Sequence, residues 1–218
     1  MTATNDVGTS ASSAASSAVT PATTPNAPTN VIATRGNEEA TITFDAPSSN
    51  GSAITDYIIE YKPASGSWTT FNDGTSTNLT ATITGLTNGT SYTFRVSAVN
   101  VIGTSAVSST SNAVIPALVP DIPTNVQATR GNGQATITFD IPADNGSAIT
   151  QYTVTSNEGH FATGTTSGIT VTGLTNGVEY TFTVTATNII GTSASSVASN
   201  AVTPATTPNA PTGITATR

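Results

Sequence analysis

Along most of this chain, apolar and polar residues alternate one by one. In Ala40-Thr-Ile-Thr-Phe-Asp45 every second residue is apolar, and Ala135-Thr-Ile-Thr-Phe-Asp140 repeats the pattern. Tyr92-Thr-Phe-Arg-Val-Ser-Ala98 and Tyr180-Thr-Phe-Thr-Val-Thr-Ala186 do the same. A period of two gives a strand one apolar face and one solvated face. Thr, β-branched at Cβ, suits the solvated face. Asn-Gly steps at Asn50-Gly51, Asn88-Gly89, Asn145-Gly146 and Asn176-Gly177 separate the runs as turns. The spacing predicts strands near 29–35, 40–45, 54–61, 67–72, 79–84, 91–99 and 107–115. A second set falls near 124–130, 135–140, 149–156, 160–163, 168–173, 179–187 and 195–203. Short strands at this spacing, with turns between them, predict an all-β fold of two seven-stranded sandwiches.

The two sets are copies. Pro28-Thr-Asn-Val-Ile-Ala-Thr-Arg-Gly-Asn37 returns as Pro123-Thr-Asn-Val-Gln-Ala-Thr-Arg-Gly-Asn132, and starts again as Pro211-Thr-Gly-Ile-Thr-Ala-Thr-Arg218. The N-terminal run Asn5 to Pro21 closely matches Asn188 to Pro204, which closes the second copy. Ser10–Thr20 looks Ala-rich enough for a helix, but its match to 193–203 predicts a last strand instead. The chain is therefore expected to hold two whole domains with partial repeat segments at both ends. Residues 1–20 are the final strand of a truncated preceding repeat, and 212–218 are the first strand of a truncated following one. The domains span 29–115 and 124–203, joined by Pro-rich linkers at 21–28, 116–123 and 204–211. The whole reads as a segment of a longer array, with Met1 an added start. Proline favours extended, semi-rigid joints. The middle linker carries Leu118, Val119 and Ile122, which are expected to pack against a domain end and limit bending.

Composition narrows the function classes. The 218 residues include no cysteine, which excludes thiol catalysis, cysteine-ligated metal and a disulfide scaffold. Charged residues are 8% of the chain and the net charge is −7. The five basic residues, Arg35, Lys62, Arg95, Arg130 and Arg218, do not cluster in the sequence. Nucleic acid and anionic membrane both attract Lys/Arg clusters, so neither is an expected partner. No apolar run reaches membrane-spanning length, and residues 2–20 lack the basic start and apolar stretch of a signal peptide.

Gly85-Leu-Thr-Asn-Gly-Thr-Ser-Tyr92 through Asn100 to Gly103, and its copy Gly173-Leu-Thr-Asn-Gly-Val-Glu-Tyr180 through Asn188 to Gly191, carry a family resemblance. Each unit resembles a fibronectin type III domain over its full length. A Leu six residues before a Tyr is similar to that family's tyrosine corner, which implies a phenol that packs and bonds back to nearby backbone. The family's usual second-strand Trp is replaced by Phe44 and Phe139, which fill the same core place with less volume. Arg-Gly-Asp is absent, and Arg35-Gly36-Asn37 and Arg130-Gly131-Asn132 are near misses.

Candidate chemistry is sparse. His160, the one histidine, is expected in a solvated loop, with no Ser or Asp pattern around it to suggest a triad. Glu38-Glu39 is an adjacent acid pair, but the copy has Gly133-Gln134 there, so a tight hairpin is the expectation. Asp140, Asp144 and Asn145 could offer oxygens to calcium, without the ligand spacing of an EF-hand loop. In the first domain Asp45 remains, but Ser49 stands for Asp144. Trp68 and Phe71 lie near the fourth strand, where the second domain has Phe161 but no Trp; an exposed Trp could stack on sugar rings or simply pack. N-glycosylation sequons begin at Asn50, Asn78, Asn88 and Asn145. Lys62, the one lysine, limits any Lys–Asn cross-link to a single domain.

No catalytic residue, metal site or cofactor is expected, and no binding residue can be named. Repetition, low charge and Pro-rich joints predict a non-catalytic extracellular or cell-surface spacer, stalk or fibre segment of a microbial repeat protein, self-associating through its end strands. Its expected partners are other copies of itself or neighbouring repeats. The alternative is an adhesive or carbohydrate-binding accessory module, with a glycan or surface protein gripped by the loops at 46–53, 100–106, 141–148 and 188–194. Those loops are nearly the same in both copies, which favours scaffold over recognition.

Overall fold

The computed structural model describes residues 1–214. A two-residue pair, β1 (Thr4–Asn5) and β2 (Gly8–Thr9), precedes the first domain. That domain comprises β3 (Thr29–Arg35), β4 (Glu39–Asp45), β5 (Ile54–Pro63), β6 (Thr69–Phe71), β7 (Thr80–Thr84), β8 (Tyr92–Asn100) and β9 (Gly103–Thr104). The second comprises β10 (Thr124–Arg130), β11 (Gln134–Asp140), β12 (Gln151–Ser156), β13 (Phe161–Gly164), β14 (Ile169–Thr172) and β15 (Phe182–Thr187). In each domain a three-stranded sheet faces a second sheet: β3-β4-β7 against β6-β5-β8-β9, and β10-β11-β14 against β13-β12-β15. All pairings are antiparallel, as alternating faces and short turns require.

The buried face is the one the alternation marks. Ile42, Phe44, Ile59, Ile83, Phe94 and Val96 form the first core, and Ile137, Phe139, Val154, Val171, Phe182 and Val184 the second. Each fully buried side chain of this size stabilises by about 1.5–3 kcal/mol. Phe44 sits edge-on to Tyr57 with ring centroids 4.9 Å apart, and Phe139 meets Tyr152 at 4.8 Å. Burial pushes the phenols of Tyr57 and Tyr152 above their ordinary pKa. The tyrosine corner forms in both domains. The Tyr92 hydroxyl accepts from the Thr87 amide at 3.2 Å, and the Tyr180 hydroxyl from Thr175 at 3.1 Å.

The seventh strand does not form as expected. Residues 107–115 and 195–203 hold only single bridges, Val114 to Tyr92 and Val202 to Tyr180. In place of a strand, every third residue docks on β8. The Ser105, Ser108 and Ser111 amides donate to the Ala98, Val96 and Phe94 carbonyls at 2.8–2.9 Å. The amides of the same three β8 residues donate back to the serine Oγ atoms at 2.9–3.1 Å. Each Oγ also donates to the next residue's carbonyl. Ser193, Ser196 and Ser199 repeat the arrangement on Ala186, Val184 and Phe182. Three residues thus oppose two, the count of a β-bulge, three times in succession. Two residues of β8 rise about 6.8 Å, so the segment advances only about 2.3 Å per residue. An amide clamp then closes the sandwich. Asn112 exchanges two hydrogen bonds of 2.9 Å with the Ala33 backbone, and Asn200 does the same to Ala128.

The N-terminal segment folds the same way on a smaller scale. β1–β2 matches the β8–β9 corner, and Ser10 and Ser13 bond to Ala3 and Met1 as Ser105 and Ser108 do to Ala98 and Val96. No strand forms over Ser10–Thr20. The strand expected at 212–218 is absent from 212–214, and 215–218 lie outside the described residues.

Candidate functional site: the joint between domains

The middle linker is bonded at both ends. At the lower end of the first domain, the Gly89 amide donates to the Pro116 carbonyl at 2.9 Å, and the Ala117 amide donates to the Gly36 carbonyl at 3.0 Å. At the upper end of the second domain, the Leu118 and Asp121 amides donate to the Asn145 and Ala143 carbonyls, both at 3.0 Å. Asn145 Nδ2 returns bonds to the Val119 carbonyl and the Asp121 carboxylate at 3.0 and 2.9 Å. Two Asn-Gly turns meet across the linker. A Cβ added to Gly146 would overlap the Gly89 amide nitrogen and lie 2.9 Å from the Pro116 oxygen. Gly146 also holds φ +87°, which disfavours any other residue. The close approach is therefore written into glycine.

A buried asparagine anchors the linker to its domain. Asn188 Nδ2 points at three carbonyls, Leu118 at 2.8 Å and Asp144 and Ser147 at 3.2 Å. Its Oδ1 accepts from the Ile190 and Gly191 amides. One side chain at 4% exposure so ties linker, loop 141–148 and turn 188–191 together. Asn100 makes the same five bonds in the first domain, with Thr23 in the place of Leu118.

The half-joints at the outer ends match bond for bond. On the first domain, Thr23 and Asn26 amides donate to Asn50 and Ser48 carbonyls at 3.0 Å, and Asn50 Nδ2 bonds Thr24 and Asn26. Below the second, Gly177 donates to Pro204 and Ala205 to Gly131. Pro116 and Ala117 are buried with Pro120 and Pro123, while Leu118 and Ile122 stay 39% and 46% exposed. The expectation that the bulky linker residues pack holds for Val119, which is half-buried against Gly191, and is corrected for Leu118 and Ile122, in whose place the prolines are buried.

The sequence candidates fall elsewhere or inside this joint. Arg35-Gly36-Asn37 belongs to it, through the Gly36 carbonyl and an Asn37–Asn88 side-chain bond of 2.8 Å. Glu38-Glu39 forms the tight hairpin expected, with Glu38 at φ +55° and its amide on Asn88 Oδ1. Asp140, Asp144 and Asn145 do not converge. Asp140 takes Asn125, Asp144 takes the Gly146 amide, and Asn145 holds the linker; in the first domain Asp45 takes Asn30. Three of the four sequon asparagines, Asn50, Asn88 and Asn145, have Nδ2 engaged in the joints, whereas Asn78 is exposed. His160 is not a free loop residue. Its ring meets Tyr180 edge-on at 5.8 Å, where the first domain sets Tyr61 against Tyr92 at 6.2 Å. Trp68 packs under Arg95, whose guanidinium carbon is 4.2 Å from the ring centre, with Lys62 at 5.2 Å. Arg95 pairs with Glu60 at 2.8 Å, so a cation already occupies one of the indole faces a sugar could use. Phe71 is half-buried at the edge of its sheet, and Phe161 is 70% exposed.

Sequence reasoning missed the serine segment, the Asn112/Asn200 clamp and the Asn100/Asn188 anchor. A signal was present: serine at every third position before Asn112 and Asn200, a period that suits neither a flat strand nor a helix.

Comparison with known proteins places both domains in a family. The model of the fibronectin type III domain matches residues 26–114 and 121–202. Chitinase A1 of Niallia circulans is 37% identical over 136 residues, covering 58% of this chain and 19% of that protein. The Kelch domain-containing protein SSO1033 of Saccharolobus solfataricus is 32% identical over 165 residues, 72% of this chain and 22% of that one. This chain thus spans less than a quarter of the length of either. A crystal structure of chicken CNTN1 FN1-FN3 domains aligns at 21% identity, over 83% of this chain and 67% of that one, with a TM-score of 0.43.

Proposed function

Because the chain belongs to the fibronectin type III family, with two complete domains in tandem, we propose that it is a non-catalytic, extracellular structural spacer: a stalk or fibre segment of a microbial surface repeat protein. The observation that carries this reading is the joint. The middle linker bonds both domain ends, the first linker repeats its upper half and the last its lower half, and glycine faces glycine where the two domains join. The longest strands, ten residues in the first domain and seven in the second, give the domains lengths of about 33 and 23 Å, and bonded linkers hold those lengths end to end. The match to proteins named as a chitinase and as a Kelch-domain protein supports a module reused beside unrelated chemistry.

The test is Gly146→Ala. It strains a left-handed backbone, at about 1–2 kcal/mol, and pushes a methyl group into the Gly89 backbone. Small-angle scattering is expected to show a stiff two-domain rod for the parent chain. In the variant the domain orientations should broaden while both sandwiches stay folded. A parent chain that already samples broad orientations would remove the basis of the spacer reading.

The alternative is an accessory binding module, and the exposed turn tips favour it: Val101 is 82% and Ile189 76% exposed. Loops 46–53 and 141–148 are spent on linkers, which leaves these tips and Phe161 among the exposed apolar surfaces a ligand could grip. Titration with chitin or xylan oligosaccharides to about 10 mM, a weak-binding range, should leave their NMR resonances unmoved if the spacer reading is right. Saturable shifts at Val101, Ile189 or Phe161 would favour the accessory reading.

A further inference from the structure

A fifth Asn-Gly step, Asn132-Gly133, lies in the turn between β10 and β11, with Asn132 exposed. Asn176 grips both halves of it. Asn176 Nδ2 donates to Asn132 Oδ1, and Asn176 Oδ1 accepts from the Gly133 amide, both at 2.9 Å. Nδ2 and Oδ1 share one carbon, so the Asn132 side-chain carbonyl and the amide that follows it are held side by side. Among the described residues, Asn132 Nδ2 donates no hydrogen bond. The other four Asn-Gly steps are held differently. Asn50, Asn88, Asn145 and Asn176 each donate from Nδ2 to an oxygen. The amides of Gly89, Gly146 and Gly177 donate to Pro116, Asp144 and Pro204, none of them a partner of the preceding asparagine side chain. The first domain repeats the grip, with Asn88 on Asn37 and the Glu38 amide. There the following residue is Glu, whose side chain crowds its own nitrogen.

We propose that Asn132 is a site of spontaneous backbone modification, set by its contact with Asn176. The Gly133 nitrogen bonds to Asn132 Cγ, and the Cγ–Nδ2 bond breaks. The proton of the Gly133 nitrogen leaves with Nδ2 as ammonia. Water then opens the cyclic imide at either carbonyl, which gives an aspartate or an isoaspartate at position 132. Asn176 favours the first step in two ways. Its N–H polarises the carbonyl that is attacked. Its pair of bonds keeps nucleophile and carbonyl adjacent, which spares the ordering a free chain needs. Gly133 has no side chain to hinder its nitrogen, and the departing Nδ2 has no hydrogen bond to give up. Isoaspartate puts one more carbon into the main chain between residues 132 and 133. It lengthens a turn whose Gly131 and Gly133 carbonyls accept from the Ala205 and Leu174 amides. The modification therefore loosens the last linker from the second domain, slowly and in one direction.

Incubation of the folded chain in mildly alkaline buffer, followed by peptide mapping with mass spectrometry, tests the inference. Asn132 is expected to convert first, at least about tenfold faster than Asn50, Asn88, Asn145 or Asn176. Gly133→Glu copies the first domain, where Glu38 holds φ +55°. A Cβ at Gly133 meets only the Leu174 carbonyl, at 3.5 Å, so the variant should fold and keep Asn132 intact. Asn176→Ala removes the grip and should slow conversion at Asn132 severalfold. Hydrogen exchange at the Ala205 amide should quicken as isoaspartate accumulates. No conversion at Asn132, or faster conversion at any other Asn-Gly step, overturns the proposal. So does a rate at Asn132 that neither variant lowers. An Ala205 amide that exchanges no faster after conversion overturns the loosening of the linker.

Discussion

Asn188→Asp is expected to destabilise the second domain by about 3–5 kcal/mol at neutral pH, the cost of a buried charge without a partner. Asn188 Nδ2 now serves three carbonyl oxygens at 2.8–3.2 Å. A carboxylate oxygen in that place meets three negative dipoles and has no hydrogen to offer. Only protonation restores a donor, so the folded-state pKa of the new carboxyl lies above its unfolded value near 4. Between those two values the native state binds more protons than the unfolded state, and stability falls as pH rises. The variant should therefore approach the parent below about pH 4, and lose stability progressively through the weakly acidic range. Urea titrations at pH 4 and pH 7 check this through the transition of the second domain. Equal destabilisation at both values would show that Asn188 matters for its shape and not for its amide hydrogens. Asn100 makes the same bonds, so Asn100→Asp should reproduce the result in the first domain.

Replacing Ser193, Ser196 and Ser199 together by Ala is expected to unfold the second domain or bring it close to unfolding, while the first still melts as before. Each serine Oγ accepts from a buried amide, of Ala186, Val184 and Phe182. Three residues opposing two leave those amides no backbone carbonyl to turn to. An unmet buried donor costs about 1–3 kcal/mol, so the three together cost about 3–9. A domain of this size is stable by roughly 4–13 kcal/mol in all. Calorimetry should show one transition kept and the other lowered or lost, and restoring Ser196 alone should recover part of it. The serines share one segment, so the effects need not add. A triple variant with two normal transitions would mean that water or a rearranged strand satisfies β15.

The serine segment also shows how far the sequence could be read. Alternation located the other strands within a few residues, because burial on one face of a strand imposes its period on the residues themselves. The Leu86–Tyr92 and Leu174–Tyr180 spacings pointed to the tyrosine corner, a local contact fixed by short chain separation. The last strand of each domain was misread because Ala, Val and Ser at 105–114 allow a strand by composition. What they form depends on hydroxyls reaching the amides of β8, 7 to 17 residues back in the chain. Likewise, Leu118 and Ile122 looked like the packing residues of the joint by hydropathy, yet the domain ends present carbonyls and amides there and take up backbone instead.

The sequence by itself determined the all-β class, the two repeats, their cores, their Asn-Gly turns and the proline-rich links between them. Each follows from local period, identity or backbone restriction. Only the tertiary structure decided that Asn100 and Asn188 are anchors and that Gly146 must face Gly89. Those facts depend on which groups meet across 26 to 77 residues of chain, and hydrogen-bond partners at that separation leave no period in the residues that make them.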